Sequence, residues 1–261
     1  MLFKLLKYDL RSMWKQLSLV WGAALVLALV NRLTHSLGFM FRARDFENHI
    51  AAITAFALMA VFVTMFIISV VFVLQRFYRG LLGGEGYLMH TLPVRAWELV
   101  ASKMICAIVT YIGSGIVAVL SILLMITTDW WEFFFNFPLW TDILRGIIAH
   151  PDIIPFALEV CLLALAAIVQ SVAAFYLAMA LGHLFSRRRV LASIVSYIGI
   201  YILLSKVYNR VFSWNLVRLL IDTVEENVHT SLLTVSAVIL VPAVVFLAAV
   251  CWILEHKLNL E

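Results

Sequence analysis

Apolar residues along this chain gather into long unbroken runs, separated by short polar or glycine-broken stretches. A helix needs about 20 mostly apolar residues to cross about 30 Å of hydrocarbon. Six runs approach or exceed that length: 17–33, 50–74, 104–128, 156–185, 190–207 and 232–254. The second, third, fourth and sixth are clean. The first ends in Asn31 and Arg32, which places its end at a membrane interface. The fifth is short and carries Ser193, Ser196, Tyr197 and Tyr201, so one of its sides is expected to face protein. Barrel strands alternate apolar and polar positions, and runs such as 60–73 do not. The pattern therefore predicts an all-α, polytopic membrane protein with six transmembrane helices, a single membrane domain over 1–261.

Composition agrees. The chain is 64% hydrophobic with a mean hydropathy of +1.04, where soluble domains are about half apolar. Its 261 residues are therefore not read as one or two soluble domains. Lys and Arg accumulate in cytoplasmic loops because they resist translocation. With six spans, twelve of the nineteen basic residues fall on the side of the termini and seven on the other, so both termini are predicted to be cytoplasmic. The run Arg187–Arg188–Arg189, in a very short turn, weighs most. The net charge of +4 is then topological, and no contiguous basic face suggests a nucleic-acid partner. The first apolar run lacks a small-residue cleavage site and reads as a retained span.

The segments between spans have their own patterns. Over residues 2–16, Lys4, Lys7, Arg11 and Lys15 share one side of a helix while Leu2, Leu6, Leu10 and Met13 share another. This predicts an amphipathic helix lying in the membrane interface against lipid. After the second span, Gly80, Gly83, Gly84 and Gly86 interrupt the helix. Thr91 and Pro93 then provide a helix start, and a helix is expected to run from Pro93 through Trp97 and Lys103 into the third span. The result is a stiff elbow with a short helical element over 86–90. The connection at 129–155 is dense in Trp and Phe, an aromatic interface belt. Residues 208–230 are too short to span and too apolar for open water, which predicts an interfacial or re-entrant helix pair.

Several chemistries find no support. No Asp, Glu, Lys or Arg lies near the middle of a run, and a mid-bilayer charge usually marks a coupled transporter. Ser69, Ser114 and Ser171 have no mid-membrane His to activate them. The three cysteines, Cys106, Cys161 and Cys251, lie inside runs without metal-ligand spacing and read as small packing residues. No catalytic or metal residues are assigned, and no phosphate-binding G-x-x-x-x-G-K-[ST] loop is present. Glu159 falls in the first turns of the fourth span, where the helix dipole supports a carboxylate. His183 falls at the other end of that span, at an interface. The polar cluster Gln170, Ser171, Tyr176, Tyr197 and Tyr201 fits either interhelical hydrogen bonding or contact with a translocated substrate.

Taken together, Lys7-Tyr8-Asp9-Leu10-Arg11, Glu85-Gly86-Tyr87-Leu88 with Leu92-Pro93-Val94, Lys103 and the tail Lys257-Leu258-Asn259-Leu260-Glu261 resemble the permease subunit of a type-2 ATP-binding cassette (ABC) exporter. The resemblance implies a multi-pass protein of a bacterial plasma membrane. It implies two partners: an ABC ATPase in two copies, which carries the ATP and Mg, and a second permease protomer, identical or homologous. No cofactor is implied for this chain. Residues Glu85, Gly86, Tyr87, His90, Arg95 and Glu98, helped by Lys7 and Arg11, would form the ATPase-coupling contact. A path lined by the second and fifth spans is implied; Gln170 and Tyr176 of the fourth span, with Tyr197 and Tyr201 of the fifth, are the residues that could contact a substrate, and the aromatic surroundings suit an amphiphile or a peptide, an antimicrobial one included. A secondary transporter or channel independent of ATP, and a membrane enzyme or scaffold without catalytic residues, remain open alternatives.

Overall fold

A computed structural model describes residues 2–41, 44–82, 95–126, 138, 141, 145–146, 148–150, 152–185, 188–213 and 228–256. Among them all regular structure is helical: α1 (Leu2–Phe41), α2 (Arg44–Phe77) with a π-helical turn (Tyr78–Leu82), α3 (Ala96–Ile126), α4 (Ile153–His183), α5 (Arg189–Ser213) and α6 (Val228–His256). The long apolar runs make helix the only open conformation that satisfies its own backbone amides in hydrocarbon. Among the described residues, five helices are long and apolar enough to cross a membrane: Phe56–Leu82, Ala96–Leu124, Ile153–His183, Arg189–Arg210 and Val228–His256. The expected first span, 17–33, qualifies jointly with Tyr8–Lys15, from which it bends by 41°. Both the expected amphipathic helix over 2–16 and that run fall within α1.

α3 is helical from Ala96, so the stretch through Trp97 and Lys103 leads into the third run without a break as expected, and Glu98 complements its positive end. α5 continues past 207 to Ser213, so Tyr208 and Asn209 are helical rather than part of an external connection. The expected helix pair within 208–230, the elbow over 86–90, most of the aromatic belt and the tail 257–261 lie outside the described residues beyond Ser213 and the other ends given above.

The chain divides into two compact units. The first comprises Met1–Leu2, Leu74–Ile108 and Ile147–Glu261. Here α4 packs against both α6 and α5. Small residues permit the close approach: Ala166, Ala173 and Ala180 of α4 are fully buried. On α6, Ala243, Phe246, Val250, Ile253 and Leu254 are buried, one turn after another from Pro242. The turn between α4 and α5 is closed by Gly182: a methyl group there would come within 2.6 Å of the Ser193 Cα. At the same end, Tyr176 is stacked on Phe77 (centroids 4.0 Å apart, 15° between planes) and donates a hydrogen bond to the Lys103 carbonyl at 3.1 Å.

The second unit comprises Phe3–Val73 and Val109–Gly146. Ala24, Met65 and Val117 form its core, with Trp21 and Phe62 packed around them. Trp21 Nε1 donates to Ser114 Oγ at 3.1 Å, the Ser114 and Ser69 hydroxyls are 3.1 Å apart, and Ser69 Oγ donates to the Met65 carbonyl at 2.8 Å. The directions follow in sequence: since the Ser69 hydrogen points at Met65, Ser114 must donate to Ser69. These serines, without a histidine, are cross-helix ties. A side-chain carbon at Gly113 would lie 2.6 Å from the Trp21 ring, so glycine makes room for the indole.

Gly182→Ala tests the tight turn. Overpacking costs about 1–3 kcal/mol, while alanine returns about 1 kcal/mol of helix propensity. The backbone of α5 is the atom set in the way, so overpacking wins. The detergent-solubilised variant should unfold at a lower temperature, by about 2–4 °C per kcal/mol of net loss. An unchanged or raised midpoint would show that α5 does not seat against Gly182.

Candidate functional site

Two groups of residues were expected to act, and the structure treats them differently. Of the coupling group, Glu85, Gly86, Tyr87 and His90 lie outside the described residues, as does the side chain of Lys7. Arg11 is exposed on α1. Arg95 is exposed immediately before α3, and its carbonyl accepts the amides of Glu98 (3.0 Å) and Leu99 (3.4 Å), which starts the helix. Glu98 is half-buried in that first turn.

Lys103, expected at the mouth of the third span, sits inside α3 and is 3% exposed. Its side chain crosses the π-helical turn that ends α2. The first carbon of any side chain at Gly80 would stand 3.0 Å from Lys103 Cε and 3.3 Å from Nζ. A buried ammonium is tolerated only among polar partners, and a π-helical turn takes backbone carbonyls out of their usual register. Gly80 is thus the glycine whose lack of a side chain the site uses. At the ends of α2 and α3 that flank residues 83–94 this lysine packs against Gly80, and α3 is held to α4 by the Tyr176 hydrogen bond.

The path group divides. Gln170, Tyr197 and Tyr201 line one cavity of about 520 Å³ between α4, α5 and α6, together with Ser171, Ser205, Tyr208, Asn209 and Ile239. The Tyr208 hydroxyl faces the Gln170 amide. No formally charged side chain is among its lining residues. Tyr176 does not reach it: that ring is buried between Phe77 and the Lys103 carbonyl and serves packing. Tyr208 and Asn209 escaped the sequence reading because the fifth span was expected to stop at 207, and Ser205, inside that span, was not singled out. The signal was present as a polar residue at every fourth position of α5: Arg189, Ser193, Tyr197, Tyr201, Ser205 and Asn209. Four residues advance about 400° on a helix with 3.6 residues per turn, so such a stripe winds by about 40° per step. The cavity follows its upper part.

Two smaller features lie at opposite ends of the unit. At the start of α6, His229 Nδ1 is 2.9 Å from Glu159 Oε2, which joins α6 to α4; the carboxylate was expected to rely on the helix dipole and gains a direct partner instead. At the end of α4, Arg189 donates toward His183 Nε2 at 3.4 Å, and the Tyr78 ring lies 6.1 Å from the His183 ring. Cys106 is buried and Cys251 half-buried, as packing residues are, while Cys161 is exposed. Among the described residues no three His, Cys, Asp or Glu side chains gather where they could hold a metal ion. No family model, no curated protein and no solved structure matches the chain.

The two tyrosine roles are separable by hydroxyl deletion. Tyr176→Phe removes a buried interhelical hydrogen bond and should destabilise by about 1 kcal/mol, lowering the thermal midpoint in detergent. Tyr201→Phe, at a ring that is 67% exposed, should leave the midpoint in place. Equal shifts in both would contradict the division.

Proposed function

We propose that this chain is the membrane permease subunit of an ATP-driven ABC exporter. It works as one of two protomers, lies in a bacterial plasma membrane and is driven by a separate ATPase bound at the cytoplasmic end. In this reading the chain crosses six times with both termini inside, and α1 contributes the interfacial helix and the first span. The observation that carries the proposal is the clamp around residues 83–94. Lys103 lies across the π-helical turn at Gly80, α3 runs unbroken from Ala96, and Tyr176 bonds its carbonyl to α4. A force applied to the intervening residues, Glu85, Gly86, Tyr87 and His90, with Arg95 and Glu98, would enter stiff helices with little lost in local bending. The exposed Arg79, Arg95, Arg188 and Arg189 stand at the ends of helices that meet there, in keeping with a cytoplasmic face.

The cavity along α5 supplies the passage in this reading. Tyr rings offer apolar faces with polar tips, and Gln170 and Asn209 offer amides. Such a lining suits an uncharged portion of an amphiphile or peptide better than an ion, whose hydration shell it could not replace.

The deciding experiment is affinity purification of the tagged chain from its native membrane, followed by ATP hydrolysis in proteoliposomes. An ABC ATPase should co-purify. Gly86→Pro and Glu85→Ala should each insert normally yet reduce hydrolysis to the level of the isolated ATPase. The reading fails if no ATPase accompanies the protein or if both variants turn over at the unaltered rate.

A further inference from the structure

A second cavity, of about 620 Å³, lies at the arginine-bearing end of the first unit, where the end of α2 meets α4 and α5. Its wall is apolar: Phe175 and Met179 come from α4, Val190 and Ile194 from α5. Val190 and Ile194 are exposed, so the groove opens sideways, along the surface of a helix long and apolar enough to cross a membrane. Its rim is polar and carries one sign of charge. Gln75, Tyr78 and Arg79 stand there, and no acidic residue lines the groove. Arg189 lies nearby at this end of the unit, its guanidinium 3.4 Å from the His183 ring, which is 6.1 Å from the Tyr78 ring.

We propose that this groove binds an anionic phospholipid, its phosphate against Arg79 with Arg189 beside it and one acyl chain along Phe175, Met179 and Ile194. Charge complementarity selects the occupant: basic pockets between membrane helices capture acidic headgroups, and the apolar wall selects a lipid over free phosphate. The Phe175 and Tyr197 rings, stacked with centroids 4.7 Å apart, close the groove at its inner end and separate it from the cavity at Gln170. The inference needs only a membrane-spanning chain. It stands whether or not an ATPase partner exists, so its failure and the failure of the export reading are distinguishable.

The test is native mass spectrometry of the purified full chain in detergent, titrated separately with phosphatidylglycerol and phosphatidylcholine. One phosphatidylglycerol per chain should be retained in preference to phosphatidylcholine. Arg79→Gln should weaken phosphatidylglycerol about fivefold, the effect of one basic residue near an anionic surface, and leave phosphatidylcholine unaffected. Ile194→Trp, at an exposed position, should fill the groove and abolish the site while the protein still elutes as a single species. Equal retention of both lipids, or full phosphatidylglycerol preference in Arg79→Gln, would overturn the assignment. So would a wild-type protein that binds neither lipid and elutes as a dimer which Ile194→Trp dissociates, because the groove would then be a seam between copies.

Discussion

A backbone amide in hydrocarbon has no water to turn to, and each unsatisfied group there costs several kcal/mol. That constraint determines most of what this chain does with its residues. It makes every long run a helix, and it leaves the helices no general hydrophobic pressure to hold them together, since lipid is as apolar as leucine. Cohesion must come from close contact and from the few polar groups allowed inside. The contacts are found where side chains are smallest, at Ala166, Ala173, Ala180 and Gly182 on α4, and at Gly113 beneath Trp21. The polar groups are used economically. The relay Trp21–Ser114–Ser69–Met65 links α1, α3 and α2 of one unit, and Tyr176 links α4 to α3 in the other.

The same constraint explains why polar residues that are not ties draw notice. Membrane hydrogen bonds average about 0.6 kcal/mol, so a tyrosine contributes little stability by facing a cavity, and apolar residues would line it more cheaply. The Gln170, Tyr197, Tyr201, Tyr208 and Asn209 lining is therefore not accounted for by stability alone. Lys103 is the opposite case. It is buried against Gly80, whose lack of a side chain leaves room for it, and it lies inside the packed helices rather than in an open site.

How far the molecule could be read from residues alone follows the physics of each feature. Non-alternating apolar runs permit one conformation, so α2 to α6 were legible as helices. The early start of α3 was legible too, since nothing from Trp97 to Lys103 breaks a helix, but the far end of α5 was not, because a helix may continue past the hydrocarbon wherever no residue breaks it, as α5 does on to Ser213. The first run and the residues before it fall in one helix, α1, because nothing at Gln16 halts it. Gln170, Tyr197 and Tyr201 stood out as polar residues in apolar surroundings, and they do share a cavity. Tyr176 stood out equally and belongs elsewhere, since polarity does not reveal which neighbour a ring meets; only the fold brings Phe77 onto it. The groove at Arg79 was illegible for the same reason: its wall comes from three helices, and none of its residues is unusual alone.

Tyr197 is the residue that the two cavity linings share. Its ring, stacked on Phe175 with only 5° between planes, is the partition between a polar space toward Asn209 and an apolar, cation-rimmed one toward Arg79. Both spaces have α4 and α5 as walls, and α5 is pinned to α4 at its beginning by the Gly182–Ser193 contact. A helix held at one end moves most at the other, so displacement of α5 would widen the space at Tyr201 and Asn209 first and reach Tyr197 last. The partition thus lies near the pivot, where it can stay closed while the upper cavity changes shape. For any passage along α5 to become continuous, the two rings must unstack, a contact worth about 0.5–1.5 kcal/mol beyond simple burial. At about one to three times RT, that is a light closure which thermal motion opens part of the time.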